Sequence, residues 1–231
     1  MKGHSGLTRR LLLFWLFGVG LYSLDFCVKL FPLWRLPVDI SFPIDHWIPF
    51  EPIWAWIYMP FWLLFLFLGS GYALWRMREH GLYPYQFLAG GTLMQLGGWS
   101  IHFLFPTYMP RPDLPETGGA SIWLMRQIYE TDPPTHVFPS LHVASTVLVA
   151  YFLQIALSNA SPATQRASWL IGTATVVLVS LSTLFTKQHG VIDVGAGLLW
   201  GYLSGTAGMH LGMAWRRYLR AVWALSTRWL R

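Results

Sequence analysis

Six apolar stretches, each close to the length needed to cross a bilayer, constrain this chain more than any other feature. They run Leu11–Phe31, Ile53–Trp75, Tyr85–Phe105, Ser140–Leu157, Trp169–Phe185 and Val191–Met213. A spanning helix needs about 20 mostly apolar residues, and helices satisfy their own backbone groups where no water can. Composition agrees: 54% of the 231 residues are hydrophobic and 11% charged, against about 25% charged in soluble domains. The 14 Trp and 10 Tyr suit the two bilayer interfaces. The expectation is an all-α fold: one integral membrane domain over residues 1–231, built as a six-helix bundle.

Six spans put both termini on one side. With cytoplasmic termini, that side holds Lys2, Arg9, Arg10, Arg76, Arg78, Arg166, Arg216, Arg217, Arg220, Arg228 and Arg231, 11 of the 16 basic residues. The positive-inside rule therefore places both termini in the cytoplasm. Lys2, Arg9 and Arg10 precede the first apolar run as they would in a signal peptide. No small-x-small cleavage site follows, so the segment reads as a retained anchor. The net charge of +6 arises from residues that punctuate apolar runs, so it reads as a topology signal and not as a nucleic-acid surface. Cys27 is the only cysteine, which excludes an internal disulfide and a cysteine metal cluster. Nothing in the sequence sets the oligomeric state.

Two long connections fall on the opposite, outer side, Pro32–Pro52 and Pro106–Pro139. The first mixes Pro, Trp and acidic residues, as a segment lying on the membrane would. The tail after Met213 alternates aromatic and basic residues and reads as an interfacial helix on an anionic leaflet. Glycines at 90, 91, 97 and 98, and at 195 and 197, are expected to let helices approach closely.

Three short stretches at the outer side carry residues suited to chemistry. They are Pro106–Pro112, containing Arg111; Phe138–His142; and Thr186–Asp193. His189 and Asp193 are four apart, which on a helix puts them on one face. A carboxylate on one ring nitrogen fixes the tautomer and frees the other nitrogen as a nucleophile or base; the plainer reading is a capping pair. Ser140 suits a helix N-cap, and a helix N-terminus also offers free N–H groups to phosphate. His142, two residues on, is placed to protonate a leaving oxygen. Arg111 lies between two prolines and suits bidentate phosphate binding. Lys187 adds a second cation. Both otherwise read as interfacial cations with solvated heads. Two histidines, a carboxylate, two cations and a helix N-terminus suit phosphoryl transfer without a metal. Two histidines and an aspartate also suit zinc, but the cations would repel the ion.

These stretches resemble the type 2 phosphatidic acid phosphatase superfamily, whose pattern is KxxxxxxRP, PSGH and SRxxxxxHxxxD. The resemblance covers about Tyr85–Met213. Arg111-Pro112 matches the first motif, with Leu104 at its lysine position. The second reads PSLH, with Leu141 for glycine. In the third, Ser182, His189 and Asp193 match and Thr183 stands for arginine. Phe-Pro-Ser-Leu-His with a lysine in the third motif is similar to the branch containing inositol phosphorylceramide synthases. The resemblance implies a metal-independent, cofactor-free membrane hydrolase acting on a lipid phosphate, a phosphomonoester or diphosphate. The charge distribution puts its site at the outer face, and the compact chain without large extensions points to a bacterial plasma membrane. The resemblance also implies His189 as the nucleophile forming a phosphohistidine, Asp193 as its orienting partner and His142 as the general acid. Arg111, Ser140 and Lys187 are then the phosphate ligands. Transfer of the phosphoryl group to an alcohol, as a headgroup phosphotransferase, is the alternative. A lipid-binding protein that kept only the fold is a third reading. His102, His136, Asp132 and His46 are expected to pack, shape loops or lie near the lipid entry, and His210 to lie far from the site.

Overall fold

The computed structural model describes residues 12, 15–16, 18–20, 33–77 and 83–228. Those between 12 and 20 are helical; the rest of the expected first span, Leu11–Phe31, lies outside the described residues, as do Lys2, Arg9, Arg10 and Arg78. The first long connection carries strand β1 (Val38–Asp39) and helix α1 (Pro43–Trp47). A 3-10 turn (Pro52–Trp54) and a π-helical turn (Ile57–Phe61) then lead into α2 (Trp62–Met77). Pro60 sits inside the π turn, where its missing N–H disturbs regular α bonding. Helix α3 (Tyr83–Leu104) is followed by β2 (Thr107–Tyr108) and α4 (Ala120–Thr131), then α5 (Leu141–Ala156), α6 (Pro162–Phe185) and α7 (Val191–Arg228).

The chain is mostly helical, and the expected stretches fall on α2, α3, α5, α6 and α7. Two segments among the described residues, Pro52–Met77 and Pro162–Phe185, are long and apolar enough to cross a membrane. Helix α5 has 16 residues, a rise of only about 24 Å. Helix α3 is long enough but more polar, with Gln86 and Gln95 buried against its neighbours. Helix α6 starts seven residues before the expected span because Ser161 caps it, accepting the Thr164 N–H at 3.2 Å, with Pro162 in the first turn. The tail expected as a separate interfacial helix continues α7, which is 38 residues long in all. No glycine or proline stands between Met213 and Arg228 to break it.

Small residues set how closely the helices pack. A Cβ at Gly208 of α7 would lie 2.6 Å from the Gly90 Cα of α3, so backbone meets backbone there. Where α7 meets α5, a Cβ at Gly197 would lie 2.6 Å from the Ser140 carbonyl. Gly195 has open space instead, so only Gly197 fits the packing expected of that pair. Leu74, Met77, Met94, Leu141, Leu148 and Phe152 fill the core between α2, α3 and α5. On α2 and α6 many large apolar side chains face outward, among them Leu64, Leu68, Leu170, Ile171 and Val177.

The two long connections fold together at one end of the bundle. β1 and β2 pair in parallel, Val38 with Thr107 and Asp39 with Tyr108, and Tyr108 bridges Thr135. A second apolar cluster, Ala55, Tyr58, Leu124, Met125 and Ile128, seats α4 against the entry to α2. Neither strand nor α4 was foreseen. Two-residue strands have no period to detect, and α4 lies in the stretch Pro106–Pro139, read as a long connection.

Candidate active site

The starts of α5 and α7 lie side by side. The Ser140 N–H donates to the Asp193 carbonyl at 3.2 Å, and the close approach at Gly197 reinforces the contact. His142 and His189, 47 residues apart in sequence, thereby come within 5.6 Å, centroid to centroid. Both are buried. They line a small cavity together with Arg111, Gln188, Asp132, Thr135, His136 and His102. A larger apolar cavity between α2, α3 and α5 carries none of these groups.

His142 is fixed by packing. Its ring lies against Tyr58 at 4.5 Å and Trp62 at 4.3 Å, centroid to centroid. Its carbonyl accepts the Trp62 indole N–H at 3.2 Å and the hydroxyls of Ser145 and Thr146 at 3.0 and 2.7 Å. Tyr58 donates its own hydroxyl to Asp132 at 2.6 Å.

His189 is fixed by a turn. The N–H groups of Gln188 and His189 both donate to the Thr183 carbonyl at the end of α6, and Lys187 takes a left-handed φ of 54° to close the turn. Non-glycine residues adopt that region seldom. Asp193 Oδ2 accepts the Gly190 N–H at 2.9 Å and lies 3.6 Å from His189 Nδ1. The ring nitrogen and carboxylate thus face each other just beyond hydrogen-bond distance.

Arg111 faces the same cavity. Its guanidinium donates to the carbonyls of Asp132 at 2.6 Å and Pro133 at 3.2 Å, and also to Gln188 Oε1. The Tyr129 ring covers it at 4.9 Å. The Tyr129 phenol is pushed up to about 12 by burial, with Arg111 pulling the other way. Four atoms of this group are buried without a protein hydrogen bond: Arg111 Nε, Gln188 Nε2, His189 Nδ1 and Asp193 Oδ1. Buried polar groups normally have partners, so two unpartnered donors on cavity-lining residues suit an anionic guest.

Not every expected site residue meets the cavity. Ser140 is fully buried and its hydroxyl accepts the Val143 N–H at 3.4 Å; it is the helix cap. Lys187, expected on the phosphate, donates its ammonium to the carbonyls of Asp45, at 2.6 Å, and Ile48. Its left-handed backbone turns the side chain to the first long connection. Burial lowers its pKa, against the opposing influence of Asp45. Leu104, at the family's lysine position, is 65% exposed, and Thr183, at the arginine position, is fully buried. Arg111 is therefore the arginine or lysine among the cavity-lining residues. Gln188 was missed, although it immediately precedes His189; an amide carries no charge or metal preference to flag it. His136 has a left-handed φ of 61° and lines the cavity, as do His102 and Asp132. Among the described residues, no three His, Cys, Asp or Glu side chains are grouped to hold one metal ion.

The family model of the PAP2 superfamily matches residues 107–217, a range containing Arg111, the Phe138–His142 stretch and the Ser182–Asp193 stretch. The match, over just under half of the chain, is consistent with a member of the PAP2 superfamily. No curated protein and no solved structure gives a significant match. The family match suggests phosphatase or phosphotransferase action on a phosphate-bearing substrate.

Proposed function

We propose that the protein is an integral membrane lipid phosphate phosphatase that works through a phosphohistidine on His189. The observation that carries this reading is the convergence of Arg111, His142 and His189 on one cavity, with Asp193 behind the His189 ring. The phosphate of a lipid phosphomonoester or diphosphate sits against the Arg111 guanidinium and the Gln188 amide. His189 Nε2 attacks phosphorus, the bond to the lipid oxygen breaks, and His142 gives that oxygen its proton. Asp193 stabilises the positive ring so formed. Water, deprotonated by His142, then attacks the phosphohistidine; inorganic phosphate leaves and His189 is restored. Ser140 contributes as the cap that starts α5, and Lys187 as the brace of the His189 turn.

The membrane setting rests on outward-facing apolar side chains on α2 and α6 and on the six apolar stretches. It rests also on the distribution of basic residues, which supports cytoplasmic termini and a site at the outer face of the membrane. Purified protein in detergent with EDTA, offered a panel of lipid phosphates, tests the reading. Phosphate release that His189→Ala abolishes is expected; release equally fast in that variant would overturn it.

A second reading, transfer to an alcohol, is favoured by Asp132, Thr135 and His136 on the cavity wall, groups suited to binding hydroxyls. It predicts a new lipid product only when a polyol or sugar is added, with little free phosphate.

A further inference from the structure

The turn that carries His189 does not stand alone. Asp45, in the first long connection and 2% exposed, reaches it from 146 residues away. Its Oδ1 accepts the N–H of Val191, the first residue of α7, at 2.8 Å. Its Oδ2 accepts the Phe42 N–H at 2.8 Å, which holds Asp45 within its own segment. A Cβ at Gly190 would lie 2.9 Å from the same Oδ2, so glycine is needed for the carboxylate to come this close. Lys187 completes the join from the other side, with its ammonium on the carbonyls of Asp45 and Ile48. A backbone bond from Glu51 N–H to the Phe185 carbonyl, at 2.9 Å, ties the same two segments again.

From this geometry we infer that Asp45 is a positioning residue: it clamps the Lys187–Val191 turn and so sets His189 and Asp193 for reaction. The chain of contacts is short. Asp45 fixes Val191 and abuts Gly190. Gly190 N–H holds Asp193 Oδ2, and Asp193 faces His189 Nδ1. Asp45 is not among the cavity-lining residues, so it acts through the turn and not on substrate. A nucleophile misplaced by about 1 Å can lose 10²-fold in rate. The catalytic part of this inference rests on the phosphohistidine reading; the clamp itself does not.

The test uses the full-length chain in detergent micelles as wild type, Asp45→Ala and Asp45→Asn. Amide hydrogen exchange over residues 186–194 reads the clamp independently of any substrate. Exchange there is expected to quicken by about tenfold or more in Asp45→Ala, since losing the clamp lowers the local opening free energy. On lipid phosphate, kcat is expected to fall by about tenfold or more with KM within about twofold, as for a lost positioning contact. Asp45→Asn keeps one oxygen acceptor and should lie between the two in both measurements. Gly190→Ala should harm the wild type and be tolerated beside Asp45→Ala, where the obstructing carboxylate is gone.

Unchanged exchange over 186–194 in a folded Asp45→Ala protein would overturn the clamp. A rise in KM with kcat intact would overturn its positioning role. If Asp45→Ala does not fold, Asp45→Asn decides by the same two measurements, with unchanged exchange again counting against the clamp. If the wild type releases no phosphate from any lipid, the functional reading fails while the exchange result still decides the clamp.

Discussion

The two histidines of the site are held in opposite ways. His142 sits at the first turn of α5 between two aromatic rings, its carbonyl accepting three donors and its ring plane set by Tyr58 and Trp62. His189 sits in a turn with a left-handed residue, and its ring faces a buried carboxylate at 3.6 Å. Packing constrains orientation whatever the ring's charge; a carboxylate stabilises a ring that becomes positive. On the proposed reaction the difference assigns the roles. The ring that must gain and lose a proton without moving is walled by aromatics, and the ring that becomes cationic when phosphorylated has the anion.

The sharpest way to break this comparison is to remove each imidazole and vary the leaving group. His142→Ala should lose about 10²–10⁴-fold on an alkyl phosphate, the usual share of general acid catalysis. It should regain most of that on a nitrophenyl phosphate, whose leaving group needs no proton. His189→Ala should stay inactive on both. Equal recovery of the two variants would dissolve the distinction.

The next effect concerns the cation that lines the same cavity as both histidines. Arg111→Lys keeps the charge but loses the planar fork that reaches Asp132, Pro133 and Gln188. A loss of about 10–100-fold in kcat/KM is expected, from 1.5–3 kcal/mol for hydrogen bonds to a charged group. Full activity in the lysine variant would show that charge alone suffices.

Smaller effects should mark the His142 side alone. Trp62→Phe keeps a ring but removes the indole N–H from the His142 carbonyl, and should cost about 0.5–1.5 kcal/mol of stability. Thermal melts in detergent would measure this. The smallest effect belongs to Tyr129→Phe. The Tyr129 hydroxyl is buried without a partner, so its removal should be neutral or slightly stabilising. Because the folded phenol is raised to about 12, the native state holds its proton above the ordinary value near 10. That contribution is complete below about pH 10 and fades as the pH rises toward 12. The phenylalanine variant should lose this part of the alkaline slope.

Much of the helical pattern was legible because apolar runs and cap residues are local signals. Ser140 announces its helix within one turn, and Gly90 and Gly97 mark close approaches. Arg111, His142, His189 and Asp193 stood out because chemistry-bearing side chains are rare in so apolar a chain. Lys187 misled for a physical reason: sequence proximity to His189 suggested a shared target, but a left-handed backbone sends its side chain to Asp45 and Ile48. Asp45, Tyr58 and Trp62 gave no signal at all. Each acts across 74 residues or more, where only tertiary structure makes neighbours.

The central claim is that the phosphoryl group passes through His189, and trapping tests it most directly. The full-length protein would be mixed with a ³²P-labelled lipid phosphate, quenched in alkali within one turnover, and the labelled peptide mapped by mass spectrometry. The account predicts an acid-labile, alkali-stable phosphate on His189, absent from His189→Ala and persisting longer in His142→Ala. Label on another residue, or full turnover in His189→Ala, would contradict it.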